Sequence, residues 1–442
     1  MNKNSNALII FPVNQYSIND YIKNVILKYK IKSIILLEHP FYFTQYKYHK
    51  LKLAYLFSSF LNYKKELESS SLKCKINYVK YSDCSSNFYK SLKQNKTYLL
   101  DPIDIPVKND ILKYLPECYV IEDTPHFLID INTIKSLKYK RHSAFYEFSK
   151  RYIKNTYKID FTKFKNTDKY NRNRIPKTVL NNIKDSFIEI KNNNFVKLSS
   201  NRVNSEFKQN FGNLDNLKYL PISRKDGLIY LTQFIKTKLS KFGTYQDFIS
   251  KEHIQLYHSM ISFMVNIGII TPFDIILSLK SFTNKYSDNN IEGFLRQVIG
   301  WREYMRYIYI VDRTKLKKSN SWGNKKSIPK NWINVFSKEE ILKHEIEKIK
   351  EWAWAHHIIR LMVFLNYFIL NDYKPNDIYI WFMENIALDA YDWVMIPNIY
   401  SMGYFNKNYT SKPYISSSNY LNKMSNYKIS NLWTHLYHKK KI

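Results

Sequence analysis

The chain has 442 residues, 45% hydrophobic and 17% aromatic, enough for a packed core and, at about 150 residues per domain, for two or three domains. Lys and Arg number 69 against 37 Asp and Glu, a net charge of +32 that favours polyanions, nucleic acid before acidic membrane, although the abundant Lys, Asn, Ile and Tyr also fit AT-rich codon usage. The eight Gly begin only at Gly212, which excludes an N-terminal glycine-rich phosphate loop, and the three Cys (Cys74, Cys84, Cys118) make no metal-ligand spacing.

Unpaired cysteines and the lack of a signal pattern lead us to expect a cytoplasmic protein. No apolar run approaches the length of a membrane span, so no membrane partner is expected.

Residues 1–125 alternate short apolar runs with helix-like stretches. The runs are residues 7–13 (ALIIFPV), 32–38 (KSIILLE), 75–81 (KINYVKY), 97–100 (TYLL) and 118–121 (CYVI). Strands alternating with helices predict a Rossmann-like α/β domain, its parallel sheet covered on both faces. Ligands on such sheets sit at the C-terminal strand ends. Glu38 closes the second run just before Pro40, as a ligand contact or a solvated loop acid.

Residues 126–225 are dense in Lys and Arg, contain the cluster Asn192-Asn193-Asn194, and have weak apolar periodicity. They are expected to form a basic connector. Its segment 168–177 (DKYNRNRIPK) has turn chemistry and carries Arg174, a candidate for DNA or a residue of a solvated charge run.

Residues 226–442 contain all eight Trp and predict a separate all-α domain with an aromatic core. Residues 253–270 read as one helix. Gln255, Ser259, Ser262 and Asn266 follow helical spacing and make a polar stripe that meets a polar ligand or faces water. In residues 291–310, Arg296, Gly300 and Glu303 share a face, and a mid-helix Gly implies a close approach. Arg296, Arg302 and Arg306 are candidates for phosphate groups of a cofactor or of DNA. His357 heads an apolar stripe with Leu361, Phe364 and Phe368, as a general acid or as a core residue. No HExxH pattern occurs and no Cys lies in this region, so no metal is expected. Asp389 and Asp392 sit among aromatics and need hydrogen-bond donors such as flavin N–H groups, unless they cap a helix or face water.

Taken together, EGFLRQVIGWREYMR (292–306), AHHIIRLMV (355–363), DAYDWVMIPNIYSMGYF (389–405) and KPYISSSNYLNKMSNY (412–427) resemble the photolyase-related flavoproteins, the branch with prokaryotic (6-4) photolyases and iron–sulfur bacterial cryptochromes. EHPFYFTQYKYHKLKL (38–53), DKYNRNRIPK, KFGTYQDF (241–248) and the 258–272 segment are similar to it as well. The resemblance implies an antenna-type domain over 1–125, the connector over 126–225 and an FAD-binding catalytic domain over 226–442. It implies light-driven electron transfer from FAD to a lesion flipped out of damaged DNA, with a (6-4) photoproduct as the expected substrate. His357 would donate a proton, and Tyr414 and Tyr420 would line the lesion pocket. Trp381, Tyr391 and Trp332 match electron-transfer positions. Tyr245, Ser259, Ser262, Asn266, Arg296, Gly300, Asp389 and Asn398 are the expected FAD contacts. Arg174, Lys412 and Lys423 are the expected DNA contacts. A lumazine-type antenna pigment would sit near Glu38, and a monomer is expected.

Some positions depart from the family. The segment Met424-Ser-Asn-Tyr427 is followed by no Cys, so no iron–sulfur cluster is expected. Phe382 stands where a redox-active Tyr is expected, and Met395 where the family has an acid near the flavin ring. The tail ending Lys439-Lys440-Lys441 stops earlier than in relatives. The alternative to repair is a cryptochrome-like blue-light protein. A nucleic-acid binder without flavin is a third reading, disfavoured by the 259/262/266 stripe.

Overall fold

The computed structural model describes residues 6–93, 96–190 and 193–440. Asn192 of the asparagine cluster, with Lys441 and Ile442 of the tail, lies outside the described residues. Two compact units are present, and neither is continuous in sequence. One holds Met1–Ile131, Ile188–Tyr230 and Ile261–Asp274; the other holds Asn132–Phe187, Leu231–Met260 and Ile275–Ile442.

The first unit is built on five parallel strands: β1 (Asn6–Ile10), β2 (Ile31–Leu37), β3 (Lys75–Val79), β4 (Thr97–Leu100) and β5 (Tyr119–Ile121), in the order β3-β2-β1-β4-β5. The α/β expectation holds, with β1, β3 and β5 shorter than the apolar runs that mark them. β1 stops at Ile10 because Pro12 has no N–H for a ladder. Leu8, Ile10, Ile34, Leu36 and Leu100 fill the core with Phe60 and Tyr63 of helix Lys50–Glu68. That helix starts at His49, whose ring accepts the N–H of Leu51 at 3.0 Å. Helix Asn194–Glu206 packs on it.

The second unit is helical. Its principal members are His142–Tyr157, Asp288–Leu295, Arg302–Lys317, Glu340–Trp352 and Pro375–Asn385. Trp352, Trp354, Trp381, Trp393 and Trp433 are buried in it.

Residues 126–225 are not one connector, because the chain changes unit between Phe187 and Ile188. They carry two substantial helices, His142–Tyr157 and Asn194–Glu206, which bury Phe145, Tyr146, Ile153 and Val203. Interspersed Lys hides the period in the sequence, since Lys stems cover apolar surface while their charges stay in water. Residues 253–270 are likewise not one helix. Leu256 and Met260 both have φ of 49°, a left-handed conformation no continuous right-handed helix passes through. Only Ser262–Val265 is helical, so the polar residues do not form one helical face. Ser259 belongs to the helical unit, and Ser262 with the buried Asn266 to the α/β unit.

Candidate active site

Helix Glu340–Trp352 ends because Ala353 turns left-handed, with φ of 50°. The following loop delivers two adjacent histidines to different environments. His356 is 2% exposed and stacks on His258, with ring centroids 4.3 Å apart and planes 12° from parallel. Phe242 lies edge-on to His258 at 5.9 Å. Both ring nitrogens of His356 and Nε2 of His258 are buried without a hydrogen-bond partner. Burial lowers the pKa of His258 to about 3 and that of His356 well below its usual value, so both are neutral at pH 7. Leaving buried polar atoms unpaired costs about 1–3 kcal/mol each, which suits a pair that awaits a ligand.

His357, the next residue, is reached by solvent. The surrounding protein and then the Arg360 charge lower its pKa to about 4. Arg360 is held by two bonds: its Nε donates to the Ala355 carbonyl at 2.5 Å and its Nη1 pairs with Asp389 at 2.8 Å. Asp389, expected to meet a flavin, therefore has a protein cation as partner. Asp392 is engaged too, by Tyr309, Tyr379 and Arg313 at 2.5, 2.8 and 2.6 Å.

Beyond His357 the helix makes a π-helical turn, Ile359–Leu365, that frees backbone carbonyls. Buried Asn366 uses that irregularity. Its Nδ2 donates to Leu361 O at 2.6 Å and to Tyr414 O at 2.8 Å, while its Oδ1 accepts from Ser416 N at 2.7 Å. Trp433 donates its indole N–H to Ser416 O at 3.1 Å. Asn366, missed in the sequence, thus ties the Tyr414 segment to the helix following His357. Tyr414 is 36% exposed. Half-buried Tyr420 sits on helix Ser418–Met424, whose cap Ser417 accepts the Tyr420 N–H at 3.2 Å.

The 168–177 segment is a pinned loop. Arg296 pairs with Asp168 at 2.5 Å and Glu292 at 3.2 Å, so its charge is met within the protein. Arg172 pairs with Asp168 at 2.9 Å and approaches Asp247 at 4.0 Å. Burial first, then the Asp168 charge, raises Asp247 to about 6. Burial raises the Tyr420 pKa, Asp247 adding to the rise and Arg172 opposing it. Lys412 and Lys423 are exposed, as DNA contacts need to be. Arg174 is exposed too, but its Nη1 donates to three backbone carbonyls, at 2.8–3.1 Å. The other two arginines of the 292–306 segment also have protein partners. Arg302 lies over Trp393 at 4.7 Å and Arg306 pairs with Glu303 at 3.9 Å.

Gly300 answers a close approach, but from the protein. A Cβ there would stand 2.8 Å from His142 Nε2 and 3.0 Å from a Tyr146 ring carbon. Trp381 is buried in rings: Trp332 at 5.3 Å, Phe364 at 5.0 Å and Phe368 at 4.9 Å. Its indole N–H has no partner. Trp332 is half-buried, Tyr391 is 1% exposed and Phe382 3%. Tyr245 stacks on Tyr257 at 5.6 Å, and Asn398 Nδ2 donates to Val394 O at 2.7 Å.

The expected pigment contact fares differently. Glu38, 0% exposed in the α/β unit, receives Arg202 Nη1 and Nη2 at 2.6 and 2.9 Å, Tyr78 OH at 2.5 Å and Tyr81 N at 3.1 Å. Arg202 also lies over the Phe57 ring at 3.9 Å. The four acceptor directions of the carboxylate are filled, so Glu38 does not fit an antenna contact. The orphan nitrogens of the helical unit, by contrast, fit a polar heterocycle such as a flavin. Among the described residues, no group of three His, Cys, Asp or Glu suits a metal, and no helix is long and apolar enough to cross a membrane.

The family described as deoxyribodipyrimidine photo-lyase-related protein matches residues 21–219. A (6-4) photolyase from Agrobacterium fabrum is 36% identical over 228 residues, 50% of this chain and 44% of that protein. The matched stretch thus spans less than half of that relative. Among solved structures, a cryptochrome from Synechocystis sp. superposes with a TM-score of 0.60 at 11% identity, covering 95% of this chain and 88% of the other. An archaeal photolyase from Sulfolobus tokodaii, solved with two FAD molecules, gives 0.60 at 11% identity over 95% and 87%.

Proposed function

We propose that the chain is a member of the deoxyribodipyrimidine photolyase-related proteins, the family whose model matches residues 21–219, and that it is a light-driven, FAD-dependent DNA repair enzyme acting on (6-4) photoproducts as a monomer. The observation that carries the reading is the His258/His356 pair with its orphan nitrogens, followed directly by solvent-reached His357.

Bound beside that pair, FAD would supply an electron on absorbing light and take it back after the lesion opens. His258, His356, Tyr245 and Asn398 would hold the flavin, and Trp381 with Trp332 and Tyr391 would carry electrons toward it. Tyr414 and Tyr420 would pack on the flipped lesion, whose poor stacking makes flipping cheap. Lys412, Lys423 and Arg172 would meet phosphates. A ring nitrogen of His357 would give the lesion a proton and recover it at the end, so the cycle is neutral in protons and electrons. The ring is neutral in the free protein at pH 7, because its pKa is about 4. The anionic phosphodiester of a bound lesion would raise that pKa and load the proton.

The test is to illuminate the reduced protein with oligonucleotides carrying a (6-4) photoproduct or a cyclobutane dimer. Restoration of the (6-4) strand is expected. A flavin-loaded protein that restores neither would favour the cryptochrome reading, and a colourless protein would remove the flavin.

A further inference from the structure

We infer that Arg174 is a positioning residue that closes the C-terminal end of helix Ser418–Met424 and so sets Tyr420 and Lys423, and that it is not a DNA-phosphate contact. The inference rests on the repair reading above, because it takes Tyr420 as a lesion contact. The last carbonyls of any helix lack intrahelical partners. Here each has an outside donor. Arg174 Nη1 donates to Asn422 O at 2.9 Å, Lys423 O at 3.1 Å and Ser425 O at 2.8 Å. Ser425 Oγ donates to Leu421 O at 2.6 Å and Ile249 N to Met424 O at 2.8 Å. A cation at this end also opposes the partial negative charge of the helix terminus.

The arm that brings Arg174 there is rigid. Ile175, next in sequence, is 2% exposed in a cluster with Leu180 and Phe248, and the guanidinium lies over the Phe248 ring at 5.8 Å. Asn171 is 0% exposed, and Asn173 Nδ2 donates to Tyr170 O at 2.6 Å. One side chain therefore couples the Arg172 loop to the Tyr420 helix, and Arg172 and Asp247 are the charged groups that act on Tyr420. The three carbonyls share the two N–H groups of Nη1, and the guanidinium is held over the Phe248 ring, a packing that a lysine ammonium on its flexible stem does not reproduce.

Full-length R174Q and R174K should be compared with the wild type for binding to lesion-bearing and undamaged duplex over a salt series, and for amide hydrogen exchange of residues 418–425. Both variants should lose about tenfold in lesion affinity, keep their affinity for undamaged duplex, and exchange faster across 418–425. Their log–log salt slope should not change. A phosphate contact would instead weaken both duplexes in R174Q, reduce the slope by about 0.9, and be rescued in R174K; that pattern would overturn the inference, as would unaltered exchange. If the wild type shows no lesion preference, the repair reading falls, and the exchange measurement still decides whether the clamp exists.

Discussion

His356 and His357 are neighbours with opposite surroundings, which is why one can bind and the other can react. His356 is sealed against His258, while His357 meets solvent beside Arg360. Positioned acid catalysis contributes about 10²–10⁴-fold in rate. His357→Ala is therefore expected to keep flavin content and DNA binding while (6-4) repair drops by that order. Repair by the wild type should also decline as pH rises through the pKa of His357 in the lesion complex, and the residual repair of His357→Ala should lack that decline. His356→Ala should instead reduce flavin content, because it removes the stacked partner of His258. Measuring absorbance and repair yield on both variants checks this; equal repair by His357→Ala would remove its catalytic role.

The elements that carry the candidate site are interrupted helices. π-helical turns occupy Arg296–Trp301, Ile359–Leu365 and Asn398–Met402, within segments that also carry the family resemblance. Such turns are frequent at functional sites because each shifts the side-chain register and frees backbone groups. At Arg296–Trp301 the register brings Gly300 under His142, whose ring stacks on Trp301 at 3.8 Å. Gly300→Ala gains about 1 kcal/mol of helix propensity but forces a Cβ to 2.8 Å from His142 Nε2. Overpacking of that kind costs about 1–3 kcal/mol. The variant should melt at a lower temperature yet bind flavin normally once folded. Loss of flavin at unchanged melting temperature would instead support Gly300 as a cofactor contact.

Over the whole molecule, charge and burial make opposite demands. The net charge of +32 should make affinity for undamaged duplex fall steeply with salt, since bound Lys and Arg release condensed counterions. A flat response would leave the charge as codon bias only. The buried histidines should make the fold acid-sensitive. Burial lowers His142 and His258 to about 3, and His356 is lowered as well. Between the ordinary histidine pKa of about 6.5 and those values the unfolded chain binds more protons, so stability rises with pH. His357, at about 4, and His344 are also lowered; Asp247, raised to about 6, and the raised Glu66 and Asp101 act the other way, three groups against five. The urea midpoint should therefore fall from pH 7 to pH 5; an unchanged midpoint would mean the histidines are solvated.

Much was legible in the sequence because it depends on local order. Alternating apolar runs gave the parallel sheet, since strand length and turn residues act over a few positions. The tryptophan segregation pointed to a helical aromatic core. The quoted motifs pointed to the family whose model matches residues 21–219. What depends on contacts distant in sequence was not legible. Asn366 joins Leu361 to Tyr414 and Ser416, yet reads as an ordinary helix residue. Arg296 and Arg174 read as anion sites until their partners Asp168 and Asn422 come into view. Glu38 reads as a ligand contact until Arg202 closes on it. The stripe at Gln255, Ser259, Ser262 and Asn266 assumed an unbroken helix that Leu256 and Met260 break. The sequence by itself determined which residue types were present and their local periods. Only the tertiary structure decided which charges were already paired, because a salt bridge depends on distance in space and not on separation along the chain.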